Sequence, residues 1–492
     1  MNPRHFLTTL ALLLGAMLLG SSPVYADGAP VGNDVQVAQS LGERELTVVI
    51  RRMDAVPGPV RIEIVTHAGS PAGRLDLRLA AAGSGTPPEG LPPAGTVTSS
   101  AAVSLGAEPG LYGQTLRVDR PGPWALEVDD GLRVARIPFV VPVKVITRWE
   151  AATYGGFTAA GVSLLAALVL AVRARRTWTV MIPAGGLLMA VAVAVTAAIL
   201  SSSIPPLPAP GSRVDPTIDN VTDPYGAAAV PAADYSRPPA SLHVRTPGAP
   251  VAGRAAEVRL ALADGSTGRP VDDLLVHHNA FVHLVIIGPS GGLWHLHPVL
   301  VAPGEYEARF TPPEGGTYAL AAEVARRGGG VQMLRLPTGL QVRGPGSPES
   351  SPEPAGPGAR VVGGVKVNVA VGGLGGATTV SARIGDRPDL QPWLGMLGHM
   401  IIVGPLPKGS REVGAGATTA PTWAHTHAMA PVSNTLENPP DETVAAFGPD
   451  VRFTHTFTSP GRYRLWIQVQ RGYSVLTIPI ALDIPGQEGR RS

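Results

Sequence analysis

Two patterns of apolar and polar residues run along the chain. The first is alternation over short runs. Examples are Leu46-Thr47-Val48-Val49-Ile50, Val60-Arg61-Ile62-Glu63-Ile64-Val65 and Trp124-Ala125-Leu126-Glu127-Val128, separated by Pro/Gly clusters. In a strand, successive side chains point to opposite faces, so alternation between turn residues predicts half-buried antiparallel strands. The second pattern is uninterrupted apolarity. Tyr154–Val172 has 19 residues without a charge, and Val180–Leu200 has 21. Each is long enough to cross about 30 Å of hydrocarbon as a helix.

Charge fixes the expected orientation of these spans. Arg173, Arg175 and Arg176 lie in the short connection between them, and basic loops stay cytoplasmic. At the N-terminus, Arg4 precedes an apolar run from Phe6 to Gly20, and Val24-Tyr25-Ala26 follows with small residues at a cleavage spacing. This predicts a signal peptide over residues 1–26 with Asp27 as the mature start; an uncleaved anchor helix is the alternative. Both signals predict a multi-pass cell-membrane protein whose N- and C-terminal domains lie outside the cytoplasm. Neither span holds an ionisable group, which favours an anchor over a transport path.

The expected fold is mostly β: three antiparallel β-sandwich (Ig-like) domains plus a two-helix transmembrane hairpin. The expected divisions are an N-terminal sandwich over 35–147, the hairpin over 152–200 and a Pro/Ala-rich linker over 201–240. A His-containing sandwich over 241–342, a Pro-rich linker over 343–358 and a second His-containing sandwich over 360–485 follow. Composition trims the list of functions. The 39 Lys+Arg against 37 Asp+Glu leave a net charge of +2, too little to hold a polyanion, so no nucleic-acid partner is expected. The absence of Cys excludes disulfides, thiolate metal sites and a thiol nucleophile.

The last two domains repeat each other, and the repeat carries histidines. Phe281-Val282-His283-Leu284-Val285-Ile286-Ile287-Gly288-Pro289 matches Leu397-Gly398-His399-Met400-Ile401-Ile402-Val403-Gly404-Pro405. Trp294-His295-Leu296-His297 matches Trp423-Ala424-His425-Thr426-His427. His295 and His297 share one strand face, while Trp294 and Leu296 face the core. The turn Gly288–Gly292 decides the rest. If it has an odd number of residues and sets Ile287 opposite Leu293, His283 lies across from His297 and three imidazoles share a face. An even turn would put His283 on the other face.

Neutral imidazoles at that spacing suit Cu²⁺ or Zn²⁺, so the candidate metal ligands are His283, His295 and His297, and His399, His425 and His427. The alternative is a hydrogen-bonded structural His cluster. His277, His278 and His455 are additional candidates. Met396, Met400 and Met429 lie near enough in sequence to complete a Cu⁺ site or to fill core space. Asp273 and Asp389, ten residues before each first His, could orient an imidazole or cap a turn. Gly288-Pro289-Ser290-Gly291-Gly292 fits the nucleophile-elbow pattern, but that motif needs a helix after it, and a strand follows here. No catalytic constellation emerges, so a non-enzymatic protein is expected.

The paired modules resemble the small secreted YtkA/FixH/CopC-like β-sandwiches of bacteria. Gly398-His399, His425-Thr426-His427 and Pro460-Gly461-Arg462-Tyr463-Arg464-Leu465 carry the resemblance; the closing strand Pro121-Gly122-Pro123-Trp124 of the N-terminal domain is more loosely similar. The resemblance implies copper handling or oxidase assembly outside the cytoplasm. The expected function is thus a membrane-anchored, extracytoplasmic protein that binds copper or zinc. The competing expectation is a non-catalytic structural or interaction module displaying β-sandwiches at the cell surface to a protein partner.

Overall fold

The computed structural model describes residues 34–51, 53, 56–82, 89–141, 148–173, 176–202, 239–326, 330–346, 354–373, 376–407, 412–429 and 441–486. The expected signal peptide, most of the 201–240 linker and the centre of the 343–358 linker lie outside them. The chain forms two compact units, one holding the two long helices and the other the strands.

The helices span Arg148–Arg173 and Met181–Ser202, joined by a turn of 3-10 helix at Thr177–Val180. The first begins six residues before the charge-free run, taking in Arg148 and Glu150. Their apolar segments have mean hydropathies of 2.0 and 2.2, with only 11% and 17% of each buried. A core helix of a soluble domain would be mostly buried, so these are two helices apolar enough to cross a membrane. Small residues bring them together: a Cβ on Gly156 would lie 2.8 Å from that of Ala194, and Ala160 and Ala167 are buried alongside. Small residues at such crossings let backbones approach closely.

The other unit is mostly β; among the described residues its strands form six sheets and pair antiparallel within three successive stretches of chain. In the first stretch, Val35–Leu41, Arg44–Ile50, Gly58–Thr66 and Gly110–Val118 form one sheet, and Val97–Leu105, Gly73–Ala81, Gly122–Asp129 and Val134–Val141 another. Gly122–Asp129 is buried at every second position, as its alternation predicts. The second stretch has a four-stranded sheet and a six-stranded one in which Gly316–Arg326 pairs with Val282–Ile287, which in turn pairs with Leu293–Leu296. The third repeats this plan: Gly461–Arg471 pairs with Gly398–Gly404, and that with Thr422–Ala428.

The strands Val282–Ile287 and Gly398–Gly404 are buried at every position. On one face, Val282, Leu284 and Ile286 join their own core, as do Met400 and Ile402 in theirs. On the other face, Val285 and Ile287 pack with Ile401, Val403, Ala417, Ala420 and Trp466. The two His-bearing sheets therefore pack against each other. Full burial of each such aliphatic side chain stabilises by about 1.5–3 kcal/mol. Polar contacts lock the docking: Trp466 Nε1 donates to the Gly291 carbonyl at 3.0 Å, and the Val413 amide to that of Pro289 at 2.7 Å. The short helix Val413–Thr419 fits under the second stretch because Gly414 lacks a Cβ, which would overlap the Thr317 carbonyl oxygen.

Candidate metal centre

The turn has odd parity. Ile287 pairs with Leu293 and Val285 with His295, so His283 lies on the face of His295 and His297, with ring centroids 5.3 Å from His297. In the third stretch His399 pairs directly with His427, and Ile401 with His425. The Gly288–Gly292 segment is a hairpin turn between strands, and its Ser290 amide donates to Glu314 at 2.8 Å.

Because the two His faces are the docked faces, both sets converge. His283 and His425 ring centroids are 5.2 Å apart, His295 and His425 5.0 Å, His295 and His399 5.8 Å. Two triads bring their ligand atoms within 4.8 Å of one another: His283, His295 and His425, and His399, His425 and His427. The first draws on both modules, and His425 belongs to both.

An approximate dyad relates the halves. His283 Nε2 lies 2.9 Å from the carbonyl oxygen of His277, and His399 Nε2 lies 3.0 Å from that of Trp393. A carbonyl only accepts, so both imidazoles carry their proton on Nε2 and present an Nδ1 lone pair. Those lone pairs face His295 Nε2 at 3.1 Å and His425 Nε2 at 3.0 Å. Two nitrogens ligating one tetrahedral zinc at about 2.0–2.1 Å would stand about 3.3 Å apart, close to both of these separations. Across the dyad, His295 Nδ1 meets the Gln468 amide at 3.0 Å, and His425 Nδ1 meets Glu323 at 3.5 Å.

His297 stands beside the first triad. Its Nδ1 bonds to Glu45 of the first stretch, and its backbone amide donates to the Ser40 hydroxyl oxygen at 2.7 Å. This leaves Nε2 buried with no hydrogen bond. His425 Nδ1 and His427 Nε2 are also buried without one.

Burial, followed by the neighbouring imidazoles, holds His283, His295, His399 and His425 well below the ordinary imidazole range. Burial brings His427 down to about 4 and His278 to about 3. The rings are neutral at pH 7, the form that ligates metals. Burial pushes Glu323 up to about 7.

The other candidates fall elsewhere. Asp273 and Asp389 take bonds from Arg326 and Arg471. Met400 lies in the core on the opposite face, Met396 is buried, and Met429 is exposed. His455 packs on Phe457, away from the cluster. His277 and His278 lie at its edge, with His278 4.0 Å from His427 between centroids. Sequence reasoning missed Glu45, Glu323, Gln468 and Trp393. A lone carboxylate such as Glu323, inside a strand otherwise wholly apolar from Tyr318 to Ala325, was the available signal.

Residues 360–486 match the family model of a domain of unknown function, DUF8832. The comparison with curated proteins found no match. Among solved structures, the chain is similar to a tetra-tandem repeat from the extending region of a large adhesion protein, at 11% identity and a TM-score of 0.16, covering 92% of this chain and 82% of that one. It is also similar to dimeric latent PorU from Porphyromonas gingivalis, at 8% identity and a TM-score of 0.17, covering 87% and 32%. A third is trypsin-activated alpha-2-macroglobulin from Escherichia coli, at 9% identity and a TM-score of 0.15, covering 94% and 24%.

Proposed function

We propose that the chain is a non-catalytic, membrane-anchored metal-handling protein with its domains outside the cytoplasm. The transmembrane hairpin is its anchor, and each pair of sheets is an Ig-like sandwich of the YtkA/FixH/CopC-like kind. A transition metal, copper or zinc, binds between the second and third sandwiches. The observation that carries this reading is the convergence of His283, His295 and His425, drawn from two modules, with ligand atoms within 4.8 Å of one another; His283 and His295 are buried residues and the His425 side chain is covered. His297 is the fourth donor: Glu45 holds its Nδ1, as carboxylates commonly orient ligand imidazoles, and Nε2 is left for the ion. His399 and His427 offer an alternative seat through the same His425. The donors fit the proposed metals, since an all-imidazole set suits Cu²⁺ and Zn²⁺ and contains no thiolate or thioether to select Cu⁺.

The test is calorimetric titration of the full chain in detergent micelles with Cu²⁺ and with Zn²⁺. Binding tighter than about 10 μM, roughly −7 kcal/mol, is expected for at least one ion. Weaker binding of both would leave the competing reading, a purely structural module.

A further inference from the structure

We propose a second cation site, formed by His277, His278 and Glu323 at the edge of the imidazole cluster, that takes Zn²⁺ or a metal of the same borderline class. It rests on the metal-binding reading above and adds to it a mixed nitrogen and oxygen seat. The ligand atoms of these three residues lie within 4.8 Å of one another. His277 Nε2 is 3.6 Å from Glu323 Oε1, and the two His rings are 3.6 Å apart between centroids. His278 Nδ1 is buried with no hydrogen bond. Two imidazoles and one carboxylate form a three-ligand set that leaves room for water on a zinc ion. The His277 side chain is 24% exposed, whereas that of His425 is fully buried. The second seat therefore opens to solvent where the inner one does not.

The repeat supplies an internal control. His277 and Trp393 each offer a carbonyl to the imidazole six residues later. His278 and Leu394 follow them in the same left-handed turn conformation, with φ of 48° and 54°. Glu323 pairs with His283 across the sheet as Gln468 pairs with His399. At three matching positions, then, one module carries His, His and Glu, and its twin Trp, Leu and Gln. Because the backbone is shared, turn geometry does not call for the His-His-Glu set. Glu323 Oε1 also lies 3.5 Å from His425 Nδ1, a nitrogen with no hydrogen bond. The carboxylate thus stands between the outer seat and the inner triad, where a bound cation would offset its desolvation.

The experiment counts Zn²⁺ equivalents bound by the full chain in micelles, by calorimetry and by metal content after desalting. Two equivalents are expected for the native chain. Glu323→Gln, which installs the twin's residue, should bind one. A His277→Asn/His278→Asn double variant should do the same, and it guards against a folding defect in the first. Two equivalents retained in both variants, or a single equivalent in the native chain, would overturn the second site and leave the inner one standing. No binding at all would overturn both.

Discussion

His425 is where the interface geometry makes its sharpest demand. If each module held its own ion, His399→Ala and His425→Ala would be equivalent losses of one ligand from one triad, and the other module would bind undisturbed. The docked arrangement predicts otherwise. His425 belongs to both close triads, so its removal spoils the inter-module seat and the alternative seat together. His399→Ala leaves His283, His295 and His425 in place and removes only the partner of His425 Nε2.

Loss of an orienting contact alone commonly costs 10–100-fold in metal affinity. Loss of a donor common to both inner seats should therefore cost at least about 100-fold, or about 2.8 kcal/mol at 1.4 kcal/mol per decade. For His399→Ala the expected loss is below about tenfold. The assay is competition titration of Zn²⁺ at pH 7.5 against a chromophoric chelator, following the tighter event, with His455→Ala as an unaffected control. Equal losses for the His399 and His425 variants would refute the shared centre.

Other consequences are measurable. Glu45→Gln removes the charge that holds His297, so the tighter event should weaken by about 10–100-fold; an unchanged titration would remove His297 from the ligand set. Gly414→Ala forces a Cβ into the Thr317 carbonyl and to within 2.9 Å of that of Ile287, and overpacking of this kind costs about 1–3 kcal/mol, seen as a lower Tm and weaker metal binding together. Stability in chelator should fall as pH drops below about 6.5, the unfolded imidazole value. There the unfolded chain takes up protons that the depressed imidazoles, His427 at about 4 and His278 at about 3, refuse. Glu323 and Glu442, each raised to about 7, act oppositely, losing stability as pH rises from about 4.5 to 7. The histidines outnumber them, so a chelator-treated Tm that is flat or rising from pH 6.5 to 5 would contradict the neutral cluster. Since the chain has no Cys, single cysteines report topology cleanly: on intact cells an impermeant maleimide should label Ser266→Cys and spare Arg176→Cys.

The histidine face of each module could be read from the sequence because it depends on local quantities. Strand period and the five-residue Gly288–Gly292 turn fix parity, and parity alone decides whether His283 joins His295 and His297. Docking of one module on the other depends on complementarity between surfaces far apart in the chain, which periodicity does not encode. A trace of it was present. Val282–Ile287 and Gly398–Gly404 are apolar at the positions flanking the histidines on the His face, Val285, Ile287, Ile401 and Val403, as well as on the core face. A strand apolar on both faces is one that is covered on both. The partners Glu45, Glu323 and Gln468 were harder to see because each sits on a strand whose pattern concerns its own sheet; Glu45 meets His297, Gln468 meets His295 and Glu323 meets His425 only through contacts between stretches.

The same arrangement separates the metal reading from a structural His cluster on energetic grounds. A buried polar core kept for packing tends to have its groups satisfied, because each unpaired buried donor or acceptor costs about 1–3 kcal/mol. Among the six histidines of the two strand pairs, the pairing is incomplete at three imidazole nitrogens, His297 Nε2, His425 Nδ1 and His427 Nε2, an unrelieved cost on the order of 3–9 kcal/mol. The neighbouring nitrogens are well served: His283 and His399 each use one on a carbonyl and the other on an imidazole. Selection for packing alone would favour Gln or Leu at the orphaned positions, as replacing buried polar groups by well-packed apolar ones is often neutral or stabilising. Under the metal-binding proposal these unpaired ring nitrogens are the donors that a divalent transition metal would accept, and its binding would offset their cost.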